Sequence, residues 1–87
     1  MVEQDVVVGF HEGLHARAAT IIAEAASHFD EEILLSVHEG LDFEDEPVDA
    51  ASSLMVMSLG AEYGDKVTVS SINATAVEKI ALLIEQG

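Results

Sequence analysis

What most limits how this chain can fold is the order in which its apolar spacing changes. Val2–Val8 is crowded with β-branched residues and predicts a strand. Gly9 and Gly13 then punctuate a loop over Gly9–His15. From Ala16 onward, Ala18, Ile22, Ala25 and Phe29 recur at four-three-four spacing, which sets them on one face of a helix that fades near His28–Asp30. Glu32–Val37 holds Ile33, Leu34, Leu35 and Val37 and predicts a second strand, Glu39-Gly40 a turn, and Leu41–Phe43 the start of a third strand. Ala50–Leu59 reads as a short helix with Ser52 as its N-cap and Gly60 as its stop. Val67 and Val69 alternate within Asp65–Ser71, a further strand. Last, Thr75-Ala76-Val77-Glu78 fits a capping box, and Val77, Ile80, Ala81 and Ile84 behind it form an apolar stripe for a helix ending before Gly87.

The resulting order, β-α-β-β-α-β-α, lacks the regular strand–helix alternation of a parallel sheet. It predicts an α+β fold in which helices cover one face of an antiparallel sheet. At 87 residues the chain buries only ~60–65% of its extended surface, enough for one thin core, so residues 1–87 are expected to form a single domain. Cysteine is absent, which removes disulfides and thiolate zinc sites and leaves packing to stabilise the fold.

The charge balance excludes several functions. Seventeen acids stand against three basic residues, Arg17, Lys66 and Lys79, for a net charge of −14. Nucleic acid and anionic membrane surfaces repel such a chain. The composition is similar to that of proteins from salt-loving organisms, the other reading being an acidic mesophilic domain. Residues Glu39–Asp49 concentrate six of the acids around Pro47 and predict a solvated, extended hairpin or loop. The start of the chain carries Glu3 and Asp5 rather than the basic region of a signal peptide, and no apolar run approaches the ~20 residues of a membrane span. A cytoplasmic, monomeric protein is expected.

Chemistry concentrates in Gly13-Leu14-His15-Ala16-Arg17-Ala18-Ala19. A histidine stands immediately before a predicted helix, with an arginine two residues on. First-turn amides have no intrahelical acceptor and carry partial positive charge, so they favour an anion such as a phosphoryl group beside His15. Arg17 can add charge-assisted hydrogen bonds to it. Neutral imidazole is a competent nucleophile near neutral pH, and phosphoimidazole passes its phosphoryl group on readily. On these residues alone two uses of His15 stay open: a phosphoryl acceptor, or a solvated or capping side chain.

The same loop, His11-Glu12-Gly13-Leu14-His15, also matches H-E-x-x-H, the zinc metalloprotease signature. That chemistry needs both histidines on one helical face, a third ligand and a cleft. Gly13 disfavours a helix there, so no metal site is expected. His28, near a helix C-terminus, and His38 have no companions that suggest a site.

With these residues in view, the chain resembles the HPr family, histidine-containing phosphocarriers of the phosphoenolpyruvate-dependent sugar phosphotransferase system. Gly13-Leu14-His15-Ala16-Arg17 is similar to the family's active-site motif, and Ser52-Ser53-Leu54-Met55-Val56-Met57-Ser58-Leu59-Gly60 to its regulatory-serine helix and the turn after it. Gly64, Lys66–Ser71 and the last helix continue in register. The resemblance implies an open-faced β-sandwich of four antiparallel strands covered by three helices. It implies a relay protein with a phosphohistidine intermediate rather than a stand-alone enzyme, and no cofactor. His15 would take phosphate on Nδ1 from enzyme I and pass it to an enzyme IIA component, with fructose one candidate sugar and dihydroxyacetone phosphorylation an alternative pathway. Arg17, with the amides of Ala16 and Arg17, would stabilise the phosphorylated form. Ser52 stands at the place of the regulatory serine, where a plain N-cap is the simpler reading; a regulatory binding module acting through Ser52 is the alternative of another class. Thr20, Leu54, Met57 and Ser58 fall where the family docks partners. Three departures are visible: Ala18 replaces the family's usual proline, Glu24, Ser27 and Met55 stand on helices where lysines are common, and the acidic Glu39–Asp49 stretch reads as a surface insertion.

Overall fold

The chain runs β1 (Val2–Val7), α1 (Ala16–Ala26), β2 (Leu34–Val37), β3 (Val48–Asp49), α2 (Ser53–Ser58), β4 (Lys66–Ser71) and α3 (Ala74–Gln86), in a computed structural model that describes residues 1–37 and 46–87. This is the α+β order expected from the spacing. The strands form one antiparallel sheet in the order β1-β4-β2-β3, so the last strand slots between the first and second. Residues far apart in sequence therefore meet at its centre: Val67 of β4 lies opposite both Val6 of β1 and Val37 of β2, and Val69 opposite Leu35. All five are buried. The edge strand β1 keeps Glu3 and Asp5 exposed, charges that discourage pairing with another chain's strand.

Helix α3 packs on β1 and β4, while α1 packs against both α2 and α3. The α3 stripe of Val77, Ile80, Ala81 and Ile84 is buried as its spacing predicts. In α1 the buried set is Ala18, Ala19, Ile22, Ala23 and Ala26, wider than the expected stripe and rotated from it. Ala25 and Phe29 are half-buried at its margin. Neighbours on two flanks cover more of α1 than one face, and alanine lets them approach closely. The helix also stops at Ala26 with Ser27 as C-cap, short of His28–Asp30.

Two further expectations change. Within the acidic stretch read as a hairpin or loop, Val48–Asp49 is a strand paired with β2, Val48 lying opposite Leu35. Pro47, with no N–H to give, precedes this short edge strand, a position that proline tolerates. The third strand expected at Leu41–Phe43, the Glu39-Gly40 turn and His38 lie outside the described residues. At the last helix the cap is Asn73, not Thr75: Asn73 Oδ1 accepts from the Ala76 N–H at 3.2 Å. Asn73 is also held from outside the helix, its Nδ2 donating to Glu31 Oε1 at 2.8 Å and its backbone N–H to Ser71 Oγ at 3.1 Å. The expected result is that Asn73→Ala costs about 1–2 kcal/mol in denaturant unfolding, whereas Thr75→Ala changes it by under about 0.5 kcal/mol. Equal losses would return the cap to Thr75.

Among the described residues no helix is long and apolar enough to cross a membrane.

Candidate functional site

Two loops are sewn together at one end of the sheet. The segment after β1 bonds to the segment before β4 through Val8 N–H to the Asp65 carbonyl at 2.9 Å and Gly64 N–H to the Val8 carbonyl at 3.0 Å. The second loop is closed on itself by Glu62 N–H donating to Asp65 Oδ2 at 2.9 Å. The rings of His11 and Tyr63 stand 4.7 Å apart across the seam. Further along, Leu14 N–H donates to the Ala61 carbonyl at 2.9 Å, and the Leu14 side chain is wholly buried. Ala61 directly follows the Gly60 turn that ends α2. The Gly13–Arg17 motif is thus tied by one hydrogen bond to the residue that directly follows the Ser52–Gly60 motif.

Gly13 makes that meeting possible. Its N–H donates to the Phe10 carbonyl at 2.9 Å, closing a turn, and its φ of +79° is left-handed. A Cβ on it would stand 2.7 Å from the Ala61 oxygen and 3.3 Å from His15 Cδ2. The turn sends Leu14 inward and His15 outward, where His15 becomes the N-cap of α1 with extended backbone (φ −108°, ψ 174°). Its side chain makes no capping hydrogen bond. The first intrahelical bond runs from Ala19 N–H to the His15 carbonyl at 3.0 Å. The amides of Ala16, Arg17 and Ala18 precede it and have no acceptor within the helix. Ala18, at the usual proline position, is buried, and α1 begins at Ala16 without the proline. The Arg17 side chain is 76% exposed and its Nη2 lies 3.9 Å from Glu12 Oε2. The site therefore offers an exposed imidazole, unpaired helix amides and one exposed cation, the components that hold an anion.

The neighbouring helices present mixed surfaces. Leu54 is 74% exposed on α2, beside the exposed Met55, and Ile21 is exposed on α1. Met57 is half-buried against the core. The Thr20 hydroxyl donates to the Ala16 carbonyl at 3.0 Å, and that of Ser58 to the Met55 carbonyl at 2.6 Å, so both are engaged with their own helices. Ser52 Oγ accepts from Met55 N–H at 3.3 Å, the N-cap geometry expected for it. Sequence reasoning missed the Glu12–Arg17 pair, the Ala61 anchor and the exposed Ile21, while Met55 is exposed as expected of a position where lysines are common. An i, i+5 pair across a turn and a carbonyl from another loop leave no local pattern.

The metalloprotease alternative does not take shape. His11 and Glu12 lie in a turn and Gly13 is left-handed, so residues 11–15 are not a helix and cannot set two histidines on one helical face.

Comparison with known proteins places this geometry in a class. The four-stranded antiparallel sheet with three helices in β-α-β-β-α-β-α order is the HPr fold. A phosphocarrier protein HPr from Bacillus anthracis has a crystal structure that superposes with a TM-score of 0.81 at 25% identity, covering 97% of this chain and 96% of that one. The crystal structure of HPr-C-His from Thermoanaerobacter tengcongensis gives 0.79 at 29% identity, covering 97% and 91%. The profile described as "PTS HPr component phosphorylation site" matches residues 2–86, and the chain belongs to the HPr family of phosphocarriers of the phosphotransferase system. Among its relatives, the phosphocarrier protein HPr of Streptomyces coelicolor is 37% identical over 90 residues, covering 100% of this chain and 91% of that protein. The Mycoplasma genitalium phosphocarrier protein HPr is 32% identical over 71 residues, covering 82% and 75%.

Proposed function

We propose that His15 is the residue that carries the phosphoryl group, taking it from enzyme I in the cytoplasm and handing it to an enzyme IIA component of a sugar pathway. The observation that carries this reading is that His15 holds the N-cap position yet makes no capping hydrogen bond with its side chain. An exposed imidazole left uncommitted beside unpaired helix amides is disposed for an incoming anion. The imidazole is exposed at the start of α1, with Nδ1 and Cδ2 on opposite edges of the ring. In the transfer, the Nδ1–phosphorus bond forms as the donor's bond to phosphorus breaks, and the reverse exchange delivers the group to the next protein. The amides and Arg17 meet the charge on the three phosphoryl oxygens. Fructose uptake and, as the alternative, dihydroxyacetone phosphorylation both suit this chemistry, since the carrier touches neither compound.

The test combines the protein with phosphoenolpyruvate and its own enzyme I. Acid-labile, alkali-stable phosphate is expected in the peptide containing His15; label confined to any other peptide would defeat the reading. Arg17→Ala is expected to slow the transfer about tenfold or more, the value of a charge-assisted hydrogen bond, with unfolding unchanged. An unchanged rate would remove Arg17 from the site.

A further inference from the structure

Arg17 is one of only three Lys or Arg residues in the chain, and in the phosphoryl-free protein it is already engaged. Its Nη2 lies 3.9 Å from Glu12 Oε2, with the two side chains 76% and 50% exposed. The backbone between the partners is held by main-chain hydrogen bonds at Gly13 and Leu14. Glu12 sits in the turn closed by Gly13 N–H on the Phe10 carbonyl. Gly13 is left-handed, and Leu14 is buried and bonded to the Ala61 carbonyl. Arg17 is the second residue of α1. The turn and the helix start thus hold a carboxylate and a guanidinium on the two sides of His15 in sequence and bring their tips together.

We infer that Glu12 is a positioning residue that occupies Arg17 in the empty carrier and competes with the phosphoryl group for it in the loaded one. This rests on the reading of His15 as the acceptor and goes beyond it. A phosphoryl group brings close to two negative charges. It draws Arg17 away from Glu12, and the freed carboxylate is left beside an anion and a helix N-terminus that can favour only one of them fully. Loading therefore carries an electrostatic cost that a neutral side chain at this position would not impose. The consequence suits a relay: a carrier that bound its phosphoryl group too tightly would accept it and fail to pass it on. Glu12 raises the tendency to donate at the expense of the tendency to hold.

The test is the equilibrium between phosphoenolpyruvate and the phosphorylated protein, established by enzyme I at a fixed ratio of pyruvate to phosphoenolpyruvate. Glu12→Gln is expected to shift this equilibrium about two- to fivefold toward the phosphorylated form, the range of an exposed ion pair. The same substitution made on Arg17→Ala is expected to shift it less, because the contested cation is gone. No shift, or an equal or larger one without Arg17, would overturn the inference. The pairing is read separately in the phosphoryl-free protein from the NMR resonance of the Arg17 Nε–H, which Glu12→Gln should move. If that resonance stays put, Glu12 does not hold Arg17, whatever becomes of His15. If it moves and no variant is labelled at His15, the failure belongs to the acceptor reading and overturns the competition with it.

Discussion

The His15→Ala variant is expected to fold as the parent does and to take up no phosphoryl group. Both halves follow from the same geometry. The His15 side chain is exposed and makes no capping hydrogen bond. Its removal therefore deletes no packing of consequence and is expected to change unfolding free energy by no more than about 0.5 kcal/mol. The helix start is kept by main-chain bonds, Ala19 N–H on the His15 carbonyl, which alanine supplies as well. The nucleophile, by contrast, has no substitute in the loop. His11 is turned to the ring of Tyr63, and His28 follows the C-terminal end of α1, away from the amides that receive an anion. Denaturant unfolding and phosphoryl incorporation measured on one preparation check the two halves together. Substantial residual incorporation would mean that another residue accepts the group.

Gly13→Ala is expected to damage stability and transfer together. A residue with a side chain at a left-handed position costs about 1–2 kcal/mol, and here the added methyl also meets the Ala61 oxygen at 2.7 Å. That oxygen is the acceptor for Leu14, so it cannot yield without weakening the bond that anchors the loop. A combined loss of about 1–3 kcal/mol corresponds to a fall in Tm of roughly 5–20 °C for a domain of this size. The methyl also crowds the His15 ring, more mildly, at 3.3 Å from Cδ2. Displacement of a reacting group by an ångström can cost about a hundredfold in rate, so a smaller shift is expected to slow transfer by less than that. Gly60 provides the control. It too is left-handed, at φ +66°, but a Cβ there meets nothing within 4 Å. Gly60→Ala should show the backbone cost alone and leave transfer close to normal. Equal loss of transfer in both variants would show that the Gly13 contact does not position His15.

These two positions also show why part of the molecule was legible in its sequence and part was not. Gly13, His15 and the helix start at Ala16 are local features, each expressed within a few residues, and they fall as expected. The α3 stripe is legible for the same reason, because large side chains at Val77, Ile80 and Ile84 leave little choice of face. In α1 the apolar positions are nearly all alanine, so spacing alone does not choose a face, and contact with α2 and α3 decides which ones are buried. At the last helix the sequence points to Thr75, but Asn73 is the cap, held from outside the helix by Glu31 and Ser71, one of them distant in sequence. β3 is two residues long and owes its existence to pairing with Leu34 and Leu35. The anchor of the functional loop has the same character: nothing near Leu14 in sequence announces that its N–H will be met by Ala61, which arrives only once α2 has turned at Gly60.

The central claim is that the phosphoryl group rests on His15 and on no other of the four histidines. The most direct measurement follows the imidazole resonances of all four in the intact protein by NMR while phosphoenolpyruvate and enzyme I are added, with phosphorus detection alongside. A phosphoimidazole signal that appears together with displacement of the His15 resonances alone, and fades as the group is passed on or hydrolysed, is the predicted result. The same signal accompanied by displacement of His11, His28 or His38 while His15 stays in place would contradict it.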